Sequence, residues 1–190
     1  MENVDVVRAL LEPFTGINVA GIDWSAEAVR EAIRSVHAPE VVLRTPQGVG
    51  IGVDAEYRGL DGLIRYLEDW LEPFSAYHVE ALDYIQAGNC VLVPSHQWGI
   101  GAASGARVEL KLTTLYELHG GQITRIEQYD TMEDARKAMT AAWGHKQPLP
   151  AGGHEATRKH LRPRVPRLDQ SVSQRGRGLD STCAPGLPFA

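Results

Sequence analysis

Apolar residues recur along the chain at two periods, one typical of helices and the other typical of strands. Repeats of three and four residues predict helices over 4–14, 26–37 and 60–73, with a short helix after Thr131. Alternation of apolar and polar residues predicts strands over 40–46, 78–88, 90–100, 106–118 and 123–130. Helices followed by a run of strands are typical of an α+β fold, in which the helices lie across one face of a curved sheet.

The segment 60–73 has a strong helical pattern. Its apolar positions follow steps of three and four along one side, at Leu60, Leu63, Ile64, Leu67, Leu71 and Phe74. Tyr66 and Trp70 widen this side. So wide a stripe predicts a helix that covers either a packed core or the wall of a pocket, and the pattern alone leaves both open.

The clearest strand is 106–118. One face carries Val108, Leu110, Leu112, Thr114, Tyr116 and Leu118, and the other face is polar except for Leu115. The sequence HGGQ that follows predicts a hairpin turn. In the preceding strand, Pro94 predicts a bulge or a sheet edge, because proline lacks the N–H that an interior strand uses. Ser25 and Thr131 are predicted to cap the helices that follow them.

The composition changes at about Pro148. The last 43 residues contain six of the eleven prolines and seven of the nineteen Lys and Arg side chains, with few aliphatic residues at any regular period. Such a segment cannot bury enough apolar surface to offset its ordering entropy. The sequence therefore predicts one folded domain over 1–147 and a disordered C-terminal tail over 148–190.

Composition and charge argue against several classes of protein. Residues 1–147 carry twelve basic and twenty-one acidic side chains, a poor surface for nucleic acid, which is bound through cationic contacts. The chain has no apolar run long enough for a membrane span and no signal-peptide pattern at its start. Its two cysteines predict a reduced, cytoplasmic protein without disulfides. The histidines do not occur in metal-ligand spacings and the glycines of 48–52 lack the Lys-Ser/Thr of a phosphate loop, so we expect neither a metal nor a cofactor.

The chain resembles the nuclear transport factor 2-like superfamily, and within it the SnoaL-like branch, over residues 3–142. The resemblance rests on the order and spacing of four segments: NVDVVRALLEPF, APEVVLRTP, YRGLDGLIRYLEDWLEPF and SGARVELKLTTLYELHGGQITRIEQYDTMEDA. It implies a cone-shaped fold, with a curved antiparallel or mixed sheet covered by the N-terminal helices. In this superfamily a hydrophobic pocket often lies between the helices and the sheet, and dimers often form through the sheet, so we expect a homodimer.

The resemblance also allows the family's catalytic residues to be compared position by position. The base of the ketosteroid isomerases matches Thr45, their donor acid matches Thr114, and their tyrosine matches Leu10. The acid/base aspartate of the SnoaL-type cyclases matches Thr114 as well. A threonine hydroxyl can donate a hydrogen bond but cannot act as a general base near neutral pH. The catalytic aspartates of the family are therefore absent from these positions.

We predict a protein that binds an apolar small molecule in a pocket of this cone. The predicted ligand-binding residues are Thr45, Tyr57, Trp70, Leu112, Thr114, Tyr116 and Gln128. One alternative is a polyketide cyclase, isomerase or hydrolase-type enzyme that uses Asp130 with neutral hydroxyl donors, since Asp130 shares the parity of Gln128 and would lie at the pocket rim. The other is a non-catalytic dimerisation module whose cone is filled by its own side chains.

Overall fold

The computed structural model describes residues 2–46 and 53–144, so the predicted tail over 148–190 and most of the glycine-rich segment lie outside the described residues. The helices in this part are α1 (Asn3–Leu11), α2 (Glu27–Val36), α3 (Gly59–Leu71) and α4 (Met132–Gly144), with two short 3₁₀ helices at Glu12–Phe14 and Val19–Gly21. The strands are β1 (His37–Arg44), β2 (Glu56–Arg58), β3 (Phe74–Ala81), β4 (Ile85–Ala87), β5 (Cys90–Gly101), β6 (Arg107–His119) and β7 (Gln122–Tyr129). The predicted α+β class is confirmed.

All seven strands form one mixed sheet in the order β2-β1-β7-β6-β5-β3, with β4 paired to β5 beside β3. Neighbouring strands are antiparallel except β1 and β7, which are parallel. The single strand predicted over 78–88 is thus two strands, β3 and β4. The predicted hairpin between β6 and β7 is confirmed: it turns at Gly120 and Gly121, whose φ angles of 61° and 83° belong to the left-handed region that glycine adopts without strain.

The main core lies between the first three helices and one face of the sheet. From α3 it receives Leu63, Ile64, Tyr66, Trp70 and Leu71, all buried. Burying an aliphatic side chain of this size contributes about 1.5–3 kcal/mol to folding. The stripe predicted for 60–73 is therefore the buried face of a helix.

The fourth helix lies on the opposite face of the sheet, so the prediction that the helices cover one face only is wrong for α4. A second, smaller core forms there from Cys90, Leu92, Leu115, Ala135 and Met139. Leu115, the exception in the alternating pattern, is 4% exposed in this core, whereas Val108 on the predicted core face is 41% exposed. The helix begins after Thr131, whose hydroxyl oxygen accepts the Asp134 N–H at 3.1 Å, as predicted.

Two other local predictions are wrong. Ser25 does not cap α2: its hydroxyl donates to Asp23 at 2.6 Å, and Ala26 is the N-cap residue. Pro94 causes no bulge, since β5 pairs with β6 in continuous register from Cys90 to Ile100. The Pro94 carbonyl accepts the Leu82 N–H at 2.8 Å. Because the N and O of a strand residue point to the same side, the missing N–H of Pro94 falls in the gap between β3 and β4, where it breaks no ladder bond.

Candidate functional site

A cavity of about 180 Å³ lies between the first three helices and the sheet face that they cover. Its walls come from α1, α2, α3 and from strands β1, β3, β5, β6 and β7. From α3, Tyr66, Leu67 and Trp70 line it directly. The aromatic side of α3 is therefore the wall of a cavity as well as part of the core, which resolves the choice left open by the sequence.

The lining is mainly apolar, with uncharged polar groups set into it. The polar side chains are Thr15, Trp24, His37, Tyr66, Tyr77, Ser95, Gln97, Thr114, Tyr116 and Gln128. Among the described residues no Asp, Glu, Lys or Arg side chain lines the cavity. A site of this kind can orient a neutral molecule by hydrogen bonds but offers no partner to a charged one.

Three of the polar side chains form a chain of hydrogen bonds along β3 and β5. The Tyr77 hydroxyl donates to Gln97 Oε1 at 2.7 Å, Gln97 Nε2 donates to Ser95 Oγ at 2.9 Å, and the Ser95 hydroxyl donates to the Leu112 carbonyl at 3.2 Å. Ser95 and Gln97 alternate along β5, so both point toward the cavity. Because the hydroxyl protons of Tyr77 and Ser95 both have acceptors within the protein, these hydrogen bonds hold the side chains of this cavity wall in place.

A second polar pair joins α3 to β7. Gln128 Nε2 donates to the Tyr66 hydroxyl at 2.7 Å, and the hydroxyl oxygen lies 3.1 Å from Gln128 Oε1. Thr114 lies directly opposite Gln128 in the register of β6 and β7. Burial raises the pKa of the Tyr66 and Tyr116 hydroxyls, so both stay protonated at neutral pH. Thr114, Tyr116 and the second amide hydrogen of Gln128 can donate hydrogen bonds to a carbonyl or ether oxygen in the cavity.

Two further polar groups lie at the two ends of α2. His37, at the start of β1, is buried, and its Nδ1 lies 2.8 Å from the Ile33 carbonyl oxygen. Burial lowers the pKa of His37 to about 4, although the hydrogen bond to Ile33 acts in the opposite direction. Trp24, before α2, is buried, and its indole N–H has no hydrogen-bond partner among the described residues.

Half of the predicted site residues lie at this cavity: Trp70, Thr114, Tyr116 and Gln128. Leu112 is instead buried in the core beside it. Thr45 donates to the Asp54 carbonyl at 2.9 Å. The Tyr57 hydroxyl accepts the Asp54 N–H at 2.8 Å and donates to the Asp69 carboxylate at 2.9 Å. Thr45 and Tyr57 therefore hold the chain around Asp54 in place and do not line the cavity.

The predicted position of Asp130 at the pocket rim is not observed. Asp130 is exposed and lies one residue beyond the end of β7, where the chain bends toward α4. The alternation that gave it the parity of Gln128 ends with the strand at Tyr129, so it no longer determines where the side chain points. The enzyme alternative that relies on Asp130 loses its geometric support.

Several cavity residues were not predicted. The pattern over 26–37 predicts His37 as the last residue of a helix, and the strand predicted over 78–88 begins after Tyr77. Trp24 lies in a segment without a periodic pattern. Tyr66 could have been found, because Leu63, Tyr66 and Trp70 follow the steps of three and four that place side chains on one side of a helix.

A wider depression of about 470 Å³ lies on the other face of the sheet, between α4 and strands β6 and β7. Its buried carboxylate, Glu127, is paired with Arg44 at 3.4 Å and with Arg125, and it accepts the Tyr129 hydroxyl at 2.6 Å. These contacts explain Glu127 as part of a structural ion-pair network. Within the described part of the chain, no cluster of His, Cys, Asp or Glu side chains could hold a metal ion, and no helix is long and apolar enough to cross a membrane.

Comparison with solved structures identifies the fold. The chain is similar to an NTF2-like protein of unknown function from Burkholderia pseudomallei K96243 (TM-score 0.55, 17% identity, covering 74% of this chain and 99% of that one). It is also similar to TerC co-crystallised with polyporic acid (0.55, 18%, 73% and 98%). A third structure, provisionally named a SnoaL-like polyketide cyclase from Jannaschia sp. CCS1, is comparable (0.53, 18%, 73% and 92%). At these identities the likeness concerns the fold alone.

Comparison of sequences identifies the family. No significant match was found among curated proteins. The family model described as the SnoaL-like domain matches residues 19–126, which is more than half of the chain. These residues include α2, α3 and all strands as far as the middle of β7, and so most of the cavity wall. The chain therefore belongs to the SnoaL-like domain family, within the NTF2-like superfamily.

Proposed function

We propose that this protein binds a small, uncharged and largely apolar molecule in the cavity beneath α3. The observation that carries the proposal is the lining: apolar walls with neutral donors and acceptors, and no charged side chain among the described residues. A ligand with a formal charge would lose its hydration there without gaining an ionic partner. A cavity of about 180 Å³ is close to one of roughly 150 Å³ that admits benzene, which suggests a ligand of about one or two rings.

The polar groups suggest how such a ligand is oriented. The hydroxyl protons of Tyr77 and Ser95 have acceptors in the protein, and the Tyr66 hydroxyl has Gln128 Oε1 at 3.1 Å, so the sheet-side donors for a ligand oxygen are Thr114 and the second amide hydrogens of Gln97 and Gln128. A carbonyl or ether oxygen fits these donors.

The test is a matched pair of substitutions on neighbouring residues. Ala81 lines the cavity, whereas Leu82 is 58% exposed, so Ala81→Phe fills the cavity and Leu82→Phe adds the same ring outside it. A thermal-shift screen of small polyketides and terpenes with one or two rings supplies ligands. We expect any true cavity ligand to stabilise the wild type and Leu82→Phe and to lose that effect in Ala81→Phe. Equal stabilisation of all three proteins would place the ligand elsewhere.

An enzyme of cyclase, isomerase or hydrolase type is the second candidate within the same family. The described cavity lining offers hydroxyl donors and one neutral imidazole but no carboxylate. General acid–base chemistry needs a group whose pKa lies near the working pH, and the tyrosines and His37 are shifted away from it. These observations favour a binding protein over an acid–base enzyme.

We also propose that two copies associate through the outer face of β3, β5 and β6. Trp98 lies there, partly exposed, stacked on His78 at 5.1 Å and flanked by His96 at 5.3 Å. Arg107 and Glu109, paired at 2.8 Å, give this surface both charges, so two copies related by a two-fold axis can meet there without a net repulsion. Sedimentation equilibrium tests this: Trp98→Glu should yield a monomer and the exposed-site control Leu82→Glu should not. A wild-type monomer would contradict the proposal.

We further propose that the protein acts in the cytoplasm and does not bind nucleic acid, from the acidic balance of 1–147 and the low count of two cysteines in the sequence. A negative surface disfavours nucleic acid as a partner. So low a cysteine content suits a reducing compartment, the cytoplasm. Fractionation of cells that express the tagged chain tests the location, and recovery with the membrane or secreted fraction would contradict it.

A further inference from the structure

His37 is the imidazole in the described cavity wall, and one of its two ring nitrogens is already used. Nδ1 lies 2.8 Å from the Ile33 carbonyl oxygen. A carbonyl oxygen can only accept a hydrogen bond, so Nδ1 must carry the proton and donate it. In the neutral ring the other nitrogen, Nε2, is then an acceptor with a free lone pair.

The surroundings of Nε2 leave this acceptor unpaired. His37 is 3% exposed, and among the described residues Nε2 has no hydrogen-bond partner. The titratable groups that share the cavity wall with it are the hydroxyls of Tyr66, Tyr77 and Tyr116, and among the described residues no charged side chain lines this wall. The fully enclosed polar side-chain atom without a partner in the described residues is Trp24 Nε1 alone, so His37 Nε2 keeps contact with accessible space. His37 lines the cavity, where a ligand that brings a donor can reach this nitrogen.

The charge state of the His37 ring limits the kinds of ligand group that can donate a hydrogen bond to Nε2. Burial lowers the pKa of His37 to about 4, so the imidazole is neutral at physiological pH and acts as an acceptor. The donor cannot be a protonated amine, because its charge would have no carboxylate partner in the described lining. A hydroxyl group of an alcohol, phenol or enol supplies a proton for the hydrogen bond without a charge.

We propose that this cavity selects molecules that carry a hydroxyl group, and that His37 Nε2 accepts the hydrogen bond from that hydroxyl. The proposal rests on the proposed binding function and adds to it the chemical class of the ligand. His37 thus supplies an acceptor for a hydroxyl, while Thr114 and Gln128 supply donors for a carbonyl or ether oxygen. A ring compound with both kinds of oxygen matches both sets of groups.

The experiment uses two probes of nearly equal shape, 2-naphthol and 2-methylnaphthalene, which differ by a hydroxyl in place of a methyl group. Equilibrium dialysis measures the binding of each to the full chain and to two variants. His37→Asn places an amide N–H where Nδ1 was, so the bond to Ile33 can persist, but it has no atom at the position of Nε2. His37→Gln reaches the position of Nε2 and restores an acceptor there.

We expect His37→Asn to bind 2-naphthol about 5–10-fold more weakly, which is the loss of one hydrogen bond of about 1–1.4 kcal/mol, and to bind 2-methylnaphthalene unchanged. His37→Gln should recover part of the affinity for 2-naphthol. Equal binding of 2-naphthol by the wild type and His37→Asn would overturn the inference and leave the binding function intact. Binding of neither probe by the wild type would overturn the binding function for ligands of this size, and the inference with it.

A measurement on the wild type alone guards against a variant that fails to fold. The ¹⁵N chemical shift of His37 Nε2 reports whether this nitrogen accepts a hydrogen bond. It should move when 2-naphthol is added and stay in place when 2-methylnaphthalene is added. Identical shifts with both probes would overturn the assignment of His37 as the hydroxyl acceptor.

Discussion

The ring of Tyr77 lies directly over Gly99, its partner in the register of β3 and β5. A Cβ atom on Gly99 would come within 2.7 Å of Tyr77 Cδ2 and 2.6 Å of Phe74 Cδ1. The absence of a side chain at 99 lets the tyrosine lie against the strand, and its hydroxyl then reaches Gln97 at 2.7 Å. Gly99 therefore sets the position of one wall of the cavity.

Replacing Gly99 by alanine tests this contact through the sign of its effect. Alanine in place of a strand glycine ordinarily stabilises a protein by roughly 0.5–1 kcal/mol, because glycine loses more chain entropy on folding. Here we expect a loss of about 1–3 kcal/mol in the free energy of unfolding, since the methyl group displaces two rings. Urea denaturation measures it. A gain in stability would show that the rings have room to move.

The second core beneath α4 leads to a prediction opposite to that of the alternating pattern of β6, in which Val108 belongs to the core and Leu115 does not. Leu115 is 4% exposed against Ala135 and Met139, and Val108 is 41% exposed. Leu115→Ala should lower the free energy of unfolding by about 2–5 kcal/mol. Val108→Ala, at a position that alternation assigned to the core, should lower it by less than about 0.5 kcal/mol. Similar losses for the two variants would contradict the placement of α4.

The burial of Leu115 and the exposure of Val108 show how much of the fold can be predicted from the sequence. Alternation along β6 correctly places Thr114 and Tyr116 on the face covered by the first three helices, because one buried face is enough to impose a period of two. It does not reveal what covers the other face. The apolar side of α4 consists mainly of alanine and methionine, at Ala135, Ala138 and Met139, which gives a weak signal. Leu115, an apolar residue on an otherwise polar face, is the feature of the sequence that indicates a second helix packed there.

The sequence predicts those residues of the candidate site that lie within regular helices and strands. Trp70, Thr114 and Gln128 lie on a helix or strand whose period is clear, and the structure places all three at the cavity. Asp130 failed because its parity was extended past the end of β7. His37 was missed because it stands where α2 ends and β1 begins, so neither period describes it. Boundaries between elements are where pattern-based prediction has least information.

The tail over 148–190 supplies a prediction that rests on composition alone, since these residues lie outside those described. Truncation after Gln147 should leave the melting temperature nearly unchanged, because the removed segment has no periodic apolar face with which to pack on the domain. Differential scanning calorimetry of both proteins measures this. A fall of several degrees would show that the segment packs on the domain and that the boundary at 147 is wrong.

The last prediction concerns the dependence of stability on pH. The ordinary pKa of histidine is near 6.5, and in the folded chain burial lowers that of His37 to about 4. Between these values the unfolded chain binds a proton that the folded chain does not. Stability is therefore lost as the pH falls through this window, and the contribution is fully present above about pH 6.5.

We expect the free energy of unfolding to fall by up to about 2.5 kcal/mol between pH 7 and pH 4.5 because of His37 alone, by linkage. Carboxylates with lowered pKa values, such as Glu56 and Asp134, also contribute less to stability at acid pH. A measurement on the wild type alone therefore cannot separate the contribution of His37 from theirs. His37→Asn provides the comparison, because it keeps these carboxylates and a donor for the Ile33 carbonyl but cannot take up a proton. Urea unfolding at both pH values should give a smaller decrease for the variant. The same decrease in both proteins would mean that His37 is not held neutral by burial.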